Sequence, residues 1–191
     1  MNKNVPNILT VARVIAVPFF ILCYYRQQYP AAFIIFVLAS LTDMLDGYLA
    51  RKYSLVSNFG KFMDPLADKI LTYSAFCLFV EYGIIPSYFL IIVLFREFAV
   101  AGIRMLAASK GTVIAADIFG KIKTVLQMIS IPLYLFLSSM EGFGIDKASY
   151  QGFAKAVQFS ARWTMILSIV MTVISGYNYI AKNIGVLKDD D

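Results

Sequence analysis

Two pairs of aspartates carry the chemistry most readily read from this sequence. Asp43 and Asp46 stand three residues apart, and Asp64 and Asp68 four apart. Those spacings put the members of each pair on one face of a helix. Both pairs lie at the margins of long apolar stretches joined by a short connection, so all four carboxylates reach one membrane depth. Gathered there without counter-charge, they would repel one another and resist ionisation. Divalent cations remove that repulsion. All-oxygen ligation suits hard ions such as Mg²⁺ or Mn²⁺, and a carboxylate bridging two ions gives a two-metal site. The chain contains no histidine, so the commonest transition-metal ligand and the commonest general base are both missing.

A competing reading makes these acids partners of Arg51, Lys61 and Lys69. It is the weaker one, because Lys and Arg near helix ends extend to the interface and aspartate is too short to follow. Gly47, Ala50 and Gly60 lie beside the acids on the same helix faces. Small side chains there let a flat or phosphate-bearing ligand approach the backbone. They would also suit close helix packing, but their alternation with the four acids favours the ligand.

The elements that must hold these residues are membrane spans. The chain has 191 residues, 60% hydrophobic and 15% charged, with a mean hydropathy of +0.72. Soluble domains carry about 25% charge and under half apolar residues. About six stretches approach the roughly 20 apolar residues that cross a bilayer: 8–25, 30–50, 65–82, 84–108, 119–138 and 159–181. The second loses its apolar character at Thr42 and then meets Asp43 and Asp46. The first holds Pro18, tolerated in membrane helices where neighbours or water satisfy the freed carbonyl. It lacks a small-residue cleavage site and ends Tyr24-Tyr25-Arg26, so it reads as a span and not as a cleavable signal. Residues 139–158 read as an outer loop carrying a short surface helix. With no linker, low-complexity tract or internal repeat, 1–191 reads as one all-α integral membrane domain.

Charge sets the expected orientation. Arg51, Lys52 and Lys61 follow span two, Lys110 and Lys121 follow span four, and Lys182 and Lys188 follow span six. The opposite loops hold Arg26, then Glu81, then Lys147 and Lys155 with Glu141 and Asp146. Positive residues favour the cytoplasm, so both termini are expected there. The polar residues of spans two to five crowd toward the same side, and the outer halves hold little comparable beyond Arg162. Charges at membrane depth face a cavity or partners, which implies a polar, water-accessible cavity open to the cytoplasm. The net charge of +5 follows from this asymmetry and from anionic lipid. Nucleic-acid binding would need a basic patch interleaved with aromatics, which the chain lacks. Cys23 and Cys77 both fall in apolar spans and read as buried, inert thiols.

The pattern Asp43-x₂-Asp46-Gly47-x₂-Ala50-Arg51-x₈-Gly60-x₃-Asp64-x₃-Asp68 resembles the signature of the CDP-alcohol phosphatidyltransferase family, matched at every position. Six spans with cytoplasmic ends agree with it. The resemblance implies that the four aspartates hold two divalent ions, Mg²⁺ or Mn²⁺, which grip the pyrophosphate of a CDP-linked lipid donor. It implies that Gly47, Ala50, Arg51 and Gly60 lie against the nucleotide. Asp68 would take the proton from the acceptor hydroxyl, which attacks the lipid-side phosphorus and expels CMP. A homodimer is implied in the same way.

Outside the signature, Pro6-Asn7-x-Leu9-Thr10-x₂-Arg13, Arg96-Glu97 with Arg104, and Gly120-Lys121-x-Lys123-Thr124-x₂-Gln127 resemble a bacterial branch of the family. That implies a multi-pass protein of the bacterial plasma membrane, CDP-diacylglycerol as donor and glycerol 3-phosphate as acceptor. The charges support a phosphorylated acceptor independently, since Arg96, Arg104, Lys121 and Lys123 place several phosphate-binding groups near the acids. Lys110 fits the lipid-headgroup layer instead. Lys123 fits either place, and Arg96 either binds acceptor or pairs with Glu97 or a neighbouring helix. Asn7 and Thr10 either line the nucleotide pocket or simply begin span one. Phosphatidylglycerol, serine or inositol phosphate as acceptor would use the same chemistry. A cation transporter is the alternative of a different class, since intramembrane carboxylates also mark ion paths. Acids confined to one side and an apolar outer half argue against it.

Overall fold

The computed structural model describes the backbone of residues 5–52, 58–115, 117–145 and 150–187, and their side chains except those of 5–6, 43–52, 58–62, 64–65 and 186–187. Six helices follow one another: α1 Val5–Tyr25, α2 Tyr29–Lys52, α3 Asn58–Glu81, α4 Ser87–Ser109, α5 Ile118–Ser139 and α6 Gln151–Lys182. Short 3₁₀ turns occupy Glu141–Phe143 and Ile184–Leu187, and no strand occurs among the described residues. Each expected span falls on one helix. The largest difference is at α6, which absorbs the stretch expected to form a separate surface helix. No proline or polar cluster between Gln151 and Gln158 interrupts the helical run, so it continues unbroken into the apolar segment. At 1.5 Å per residue α6 is about 48 Å long, well beyond the roughly 30 Å of hydrocarbon it has to cross.

Segments Asn7–Tyr25, Ile118–Ser139 and Gln151–Lys182 are long and apolar enough to cross a bilayer, and Tyr29–Thr42 is a shorter apolar helix. The protein is an all-α membrane protein. In α4 the apolar run is broken by Arg96, Glu97 and Arg104, while Ile91, Phe95, Phe98 and Met105 point outward from the bundle. Lipid is the natural solvent for that face.

The most extensive packing joins α5 and α6. Helix α1 packs on α2 and α3, α2 also meets α5, and α4 rests mainly on α6. Phe20, Tyr24, Phe36, Leu71, Phe76, Phe79, Ile131, Leu135 and Met165 fill one core, with the Phe20 and Phe36 rings 5.7 Å apart. In lipid, burying apolar surface between helices gains little, so close approach has to supply the attraction. Ala32, Ala39, Ala67, Ala75 and Ala161 are correspondingly buried at the contacts. The turn Glu141–Phe143 closes onto the start of α2, where Pro30 leaves no room for a β-carbon on Gly142. Both cysteines are free. Cys23 is half-buried, but Cys77 faces outward, because α3 turns that side away from the core.

Candidate active site

Helices α2 and α3 carry the signature. Asp46 lies six residues before the end of α2 and Asp64 six residues after the start of α3, about 9 Å from the connection in each case. Counted along their own helices, Asp46 and Asp64 thus stand equally far from the helix ends that face each other in sequence. Asp43, Asp46, Gly47, Ala50 and Arg51 occupy the last turns of α2, and Gly60, Asp64 and Asp68 the first half of α3. Of these eight, only the side chain of Asp68 belongs to the described residues, and it is half-buried. Among the described residues no group of three or more acidic, histidine or cysteine side chains gathers.

Next to Asp68 on α3, Lys69 reaches α4 and pairs with Glu97, Nζ to Oε2, at 3.3 Å. Glu97 is the hub of a larger cluster. Arg96 Nη1 donates to its Oε1 at 2.9 Å, and Lys123 Nζ from α5 donates to the same oxygen. Arg96 Nη2 donates to Ser175 Oγ of α6 at 2.6 Å. Four helices thus meet at one ionic point. Arg96 and Lys123 are both buried there, at 9% and 5% exposure. The Tyr73 hydroxyl stands within electrostatic reach of Glu97, Asp68 and Arg96, which ties the signature's last aspartate to the cluster.

Glycine makes room for this arrangement. A β-carbon on Gly120 would stand 2.6 Å from Arg96 Nη2, and one on Gly176 would stand 3.2 Å from Arg96 Cγ. The guanidinium cannot swing aside without giving up Glu97 or Ser175. Among the described residues, three cations around one carboxylate give the cluster surplus positive charge. Arg96 Nε, and Gln127 Nε2 one turn beyond Lys123, are buried donors without a hydrogen-bond partner among the described residues. Unused donors and excess positive charge in a buried setting suit an incoming anion.

The other candidates sit around this point. Arg104 donates from Nε to the Tyr179 hydroxyl of α6 at 3.0 Å, with its guanidinium carbon 5.5 Å from that ring's centre. Lys121 is exposed in the first turn of α5, as is Lys110 after α4. On α1, Thr10 is fully buried and Asn7 half-buried. Arg13 donates to the carbonyl of Ala39 at 3.2 Å, one turn before Asp43 on α2. Of the two sequence alternatives for Arg96, the structure places it in the pairing role, with both Glu97 and a neighbouring helix. Lys123 is drawn inward to Glu97 rather than out to the headgroup layer.

Sequence reading missed the contribution of α6, whose segment looks like an ordinary apolar span. A signal was present. Ser168, Thr172, Ser175, Gly176 and Tyr179 recur at helical spacing and are all buried, forming a polar and small stripe along one face. Two of its members, Ser175 and Tyr179, hold Arg96 and Arg104.

Comparison with known proteins finds relatives along nearly the whole chain. The family model described as CDP-alcohol phosphatidyltransferase matches residues 3–174. The chain is 37% identical to the CDP-diacylglycerol–glycerol-3-phosphate 3-phosphatidyltransferase of Bacillus subtilis (strain 168), over 97% of each chain. It is 35% identical to the protein of that name from Rickettsia felis over 94% of each, and 30% identical to the one from Cereibacter sphaeroides over the full length of both. A match of this length, together with relatives aligned end to end, settles the matter: the chain belongs to the CDP-alcohol phosphatidyltransferase family.

Proposed function

We propose that the protein transfers a phosphatidyl group from CDP-diacylglycerol to sn-glycerol 3-phosphate, releasing CMP and forming phosphatidylglycerophosphate. The observation that carries the acceptor assignment is the Glu97 cluster, with three cations on one carboxylate and unused donors beside it. A phosphate monoester is the ligand such a site accommodates best. A neutral or zwitterionic acceptor would leave that charge unanswered. Relatives named for glycerol 3-phosphate support the same choice over phosphatidylglycerol, serine or inositol phosphate. Membership in a transferase family leaves the cation-transport alternative without support.

The donor set fits divalent ions: oxygen ligands only, two pairs on adjoining helices, and a half-buried Asp68. Asp43, Asp46, Asp64 and Asp68 would hold two such ions, Mg²⁺ or Mn²⁺, which stabilise negative charge on the transferring phosphoryl group and on the leaving CMP. Asp68 accepts the proton of the acceptor hydroxyl. The freed oxygen attacks the lipid-side phosphorus, and the bond from that phosphorus to the CMP oxygen breaks. Gly47, Ala50, Arg51 and Gly60 bound the nucleotide, with Asn7 and Thr10 reaching it from α1. Arg104 and Lys121 receive the acceptor phosphate, while Lys123 and Arg96, fixed on Glu97, set the positive field behind it.

The site opens to the cytoplasm, both termini lie on that side, and the protein works as a homodimer in the bacterial plasma membrane with about six crossings. The test is to incubate purified protein with CDP-diacylglycerol, Mn²⁺ or Mg²⁺ and a panel of alcohols, and to identify the lipid product. Phosphatidylglycerophosphate formed at the highest kcat/KM is the expected result. Preference for serine, inositol phosphate or phosphatidylglycerol would overturn the acceptor, and no CMP release with any alcohol would overturn the transferase reading.

A further inference from the structure

A cavity of about 580 Å³ lies between α4, α5 and α6 at the end opposite the ion cluster. Phe89, Tyr134, Ser138, Gln158, Arg162 and Ile166 are among the residues that line it. Its volume falls in the range of ligand-binding clefts, about 300–1,000 Å³. Arg162 and Ser175 are thirteen positions apart on α6, about 20 Å along the axis, so this cavity is separate from the proposed catalytic site. No hydrogen bond or ion pair engages the Arg162 guanidinium among the described residues, although it stands within electrostatic reach of the Tyr134 hydroxyl.

Its depth follows from helix arithmetic. Arg162 and Lys182 are twenty residues apart on α6, about 30 Å, which is the thickness of the hydrocarbon layer. A boundary at Lys182 would put Arg162 near the opposite one, at the level of the lipid phosphates. Tyr88, Phe159 and Trp163 are exposed around it, as in the aromatic belts of membrane interfaces. Lys155 lines an adjoining cavity that shares Leu137 and Gln158. No acidic side chain lines either cavity among the described residues.

We propose that this cavity binds an anionic phospholipid. The lipid phosphate accepts from Arg162, Gln158 and the Tyr134 hydroxyl, Lys155 adds the preference for net negative charge, and an acyl chain lies along Phe89 and Ile166. The apolar wall is what distinguishes a lipid from a free phosphate ion.

Trp163 is the only tryptophan in the chain and neighbours Arg162, so its fluorescence reports the occupant. Full-length protein is placed in zwitterionic nanodiscs containing small mole fractions of brominated phosphatidylserine or brominated phosphatidylcholine. Neither is a substrate or product of the proposed transfer, so the outcome is independent of that reading. The serine lipid is expected to quench Trp163 at far lower mole fraction. R162Q and K155Q each reduce that preference about fivefold, the worth of one basic residue near a membrane surface, and the double variant abolishes it. Unchanged melting temperature and elution volume establish that the variants are folded. Equal quenching by both lipids, or a preference that survives in the double variant, overturns the proposal. Displacement by millimolar inorganic phosphate would make the ligand a free anion and overturn the lipid assignment. Protection of Trp163 from both lipids would make the occupant a second copy of the chain.

Discussion

The two ends of this bundle handle charge in opposite ways. At one, Lys69, Arg96 and Lys123 from three helices converge on Glu97, and Ser175 of a fourth holds the arginine. At the other, Arg162 stands in a cavity without an ion pair among the described residues, and the link between Tyr25 and Glu81 is exposed. Buried ion clusters gain little stability, because desolvation offsets most of the attraction. A cluster kept in the interior with surplus positive charge therefore points to a task, and the adjoining aspartates point to which one. The opposite end needs only to meet the lipid surface.

The sharpest way to break this contrast is to remove a carboxylate at the site. Asp68→Asn, or the same change at Asp43, Asp46 or Asp64, is expected to lower kcat for CMP release by about 10²–10⁴-fold, the usual worth of a positioned acid or base. Arg162→Gln at the other end should leave kcat within about twofold. Glu97→Gln comes next. It strands Arg96 and Lys123 in the interior, and breaking a buried pair costs about 3–5 kcal/mol, read as a large fall in melting temperature. Tyr25→Phe, which removes an exposed contact, should change stability by no more than about 0.5 kcal/mol.

Smaller effects sharpen the picture within the site. Arg104→Ala and Lys121→Ala should raise KM for glycerol 3-phosphate about ten- to a hundredfold, the loss of one charge-assisted contact. KM for CDP-diacylglycerol should stay nearly constant, and Lys110→Ala should do little. Saturation curves for both substrates separate these outcomes. If only the donor curve moves, Arg104 and Lys121 do not hold the acceptor. Gly120→Ala is read through stability instead. Its β-carbon presses on Arg96, and crowding of this kind costs about 1–3 kcal/mol, visible as a lowered melting temperature.

Much of the fold was legible in the sequence because lipid imposes a simple rule: long apolar runs become helices. Each of the six expected stretches falls on a helix, although three of the described helices are long and apolar enough to cross a bilayer by length and composition. The start of α6 was set too late because Gln151–Gln158 lies outside the long apolar run, and the end of an apolar run does not end a helix. Within the site, the aspartate pattern stands out by spacing, while the side chains of Asp43, Asp46 and Asp64 lie outside the described residues. The Glu97 hub was not legible, because Lys69 and Lys123 come from helices that only tertiary packing brings to it. Arg96 and Lys123 carry the same charge as Arg104 and Lys121, and no periodicity says which of the four Glu97 will capture. The roles of Gly120 and Gly176 become visible only once Arg96 is placed against them.

The most direct measurement is metal dependence of the transfer itself. Purified protein stripped with excess EDTA is given CDP-diacylglycerol and glycerol 3-phosphate, and CMP and lipid product are quantified before and after Mn²⁺ or Mg²⁺ is restored. The expected result is no product in EDTA and equal amounts of CMP and phosphatidylglycerophosphate once the ion returns, with Asp68→Asn silent in both conditions. Full activity in EDTA, or undiminished turnover by Asp68→Asn, would contradict a transferase built on four metal-holding aspartates.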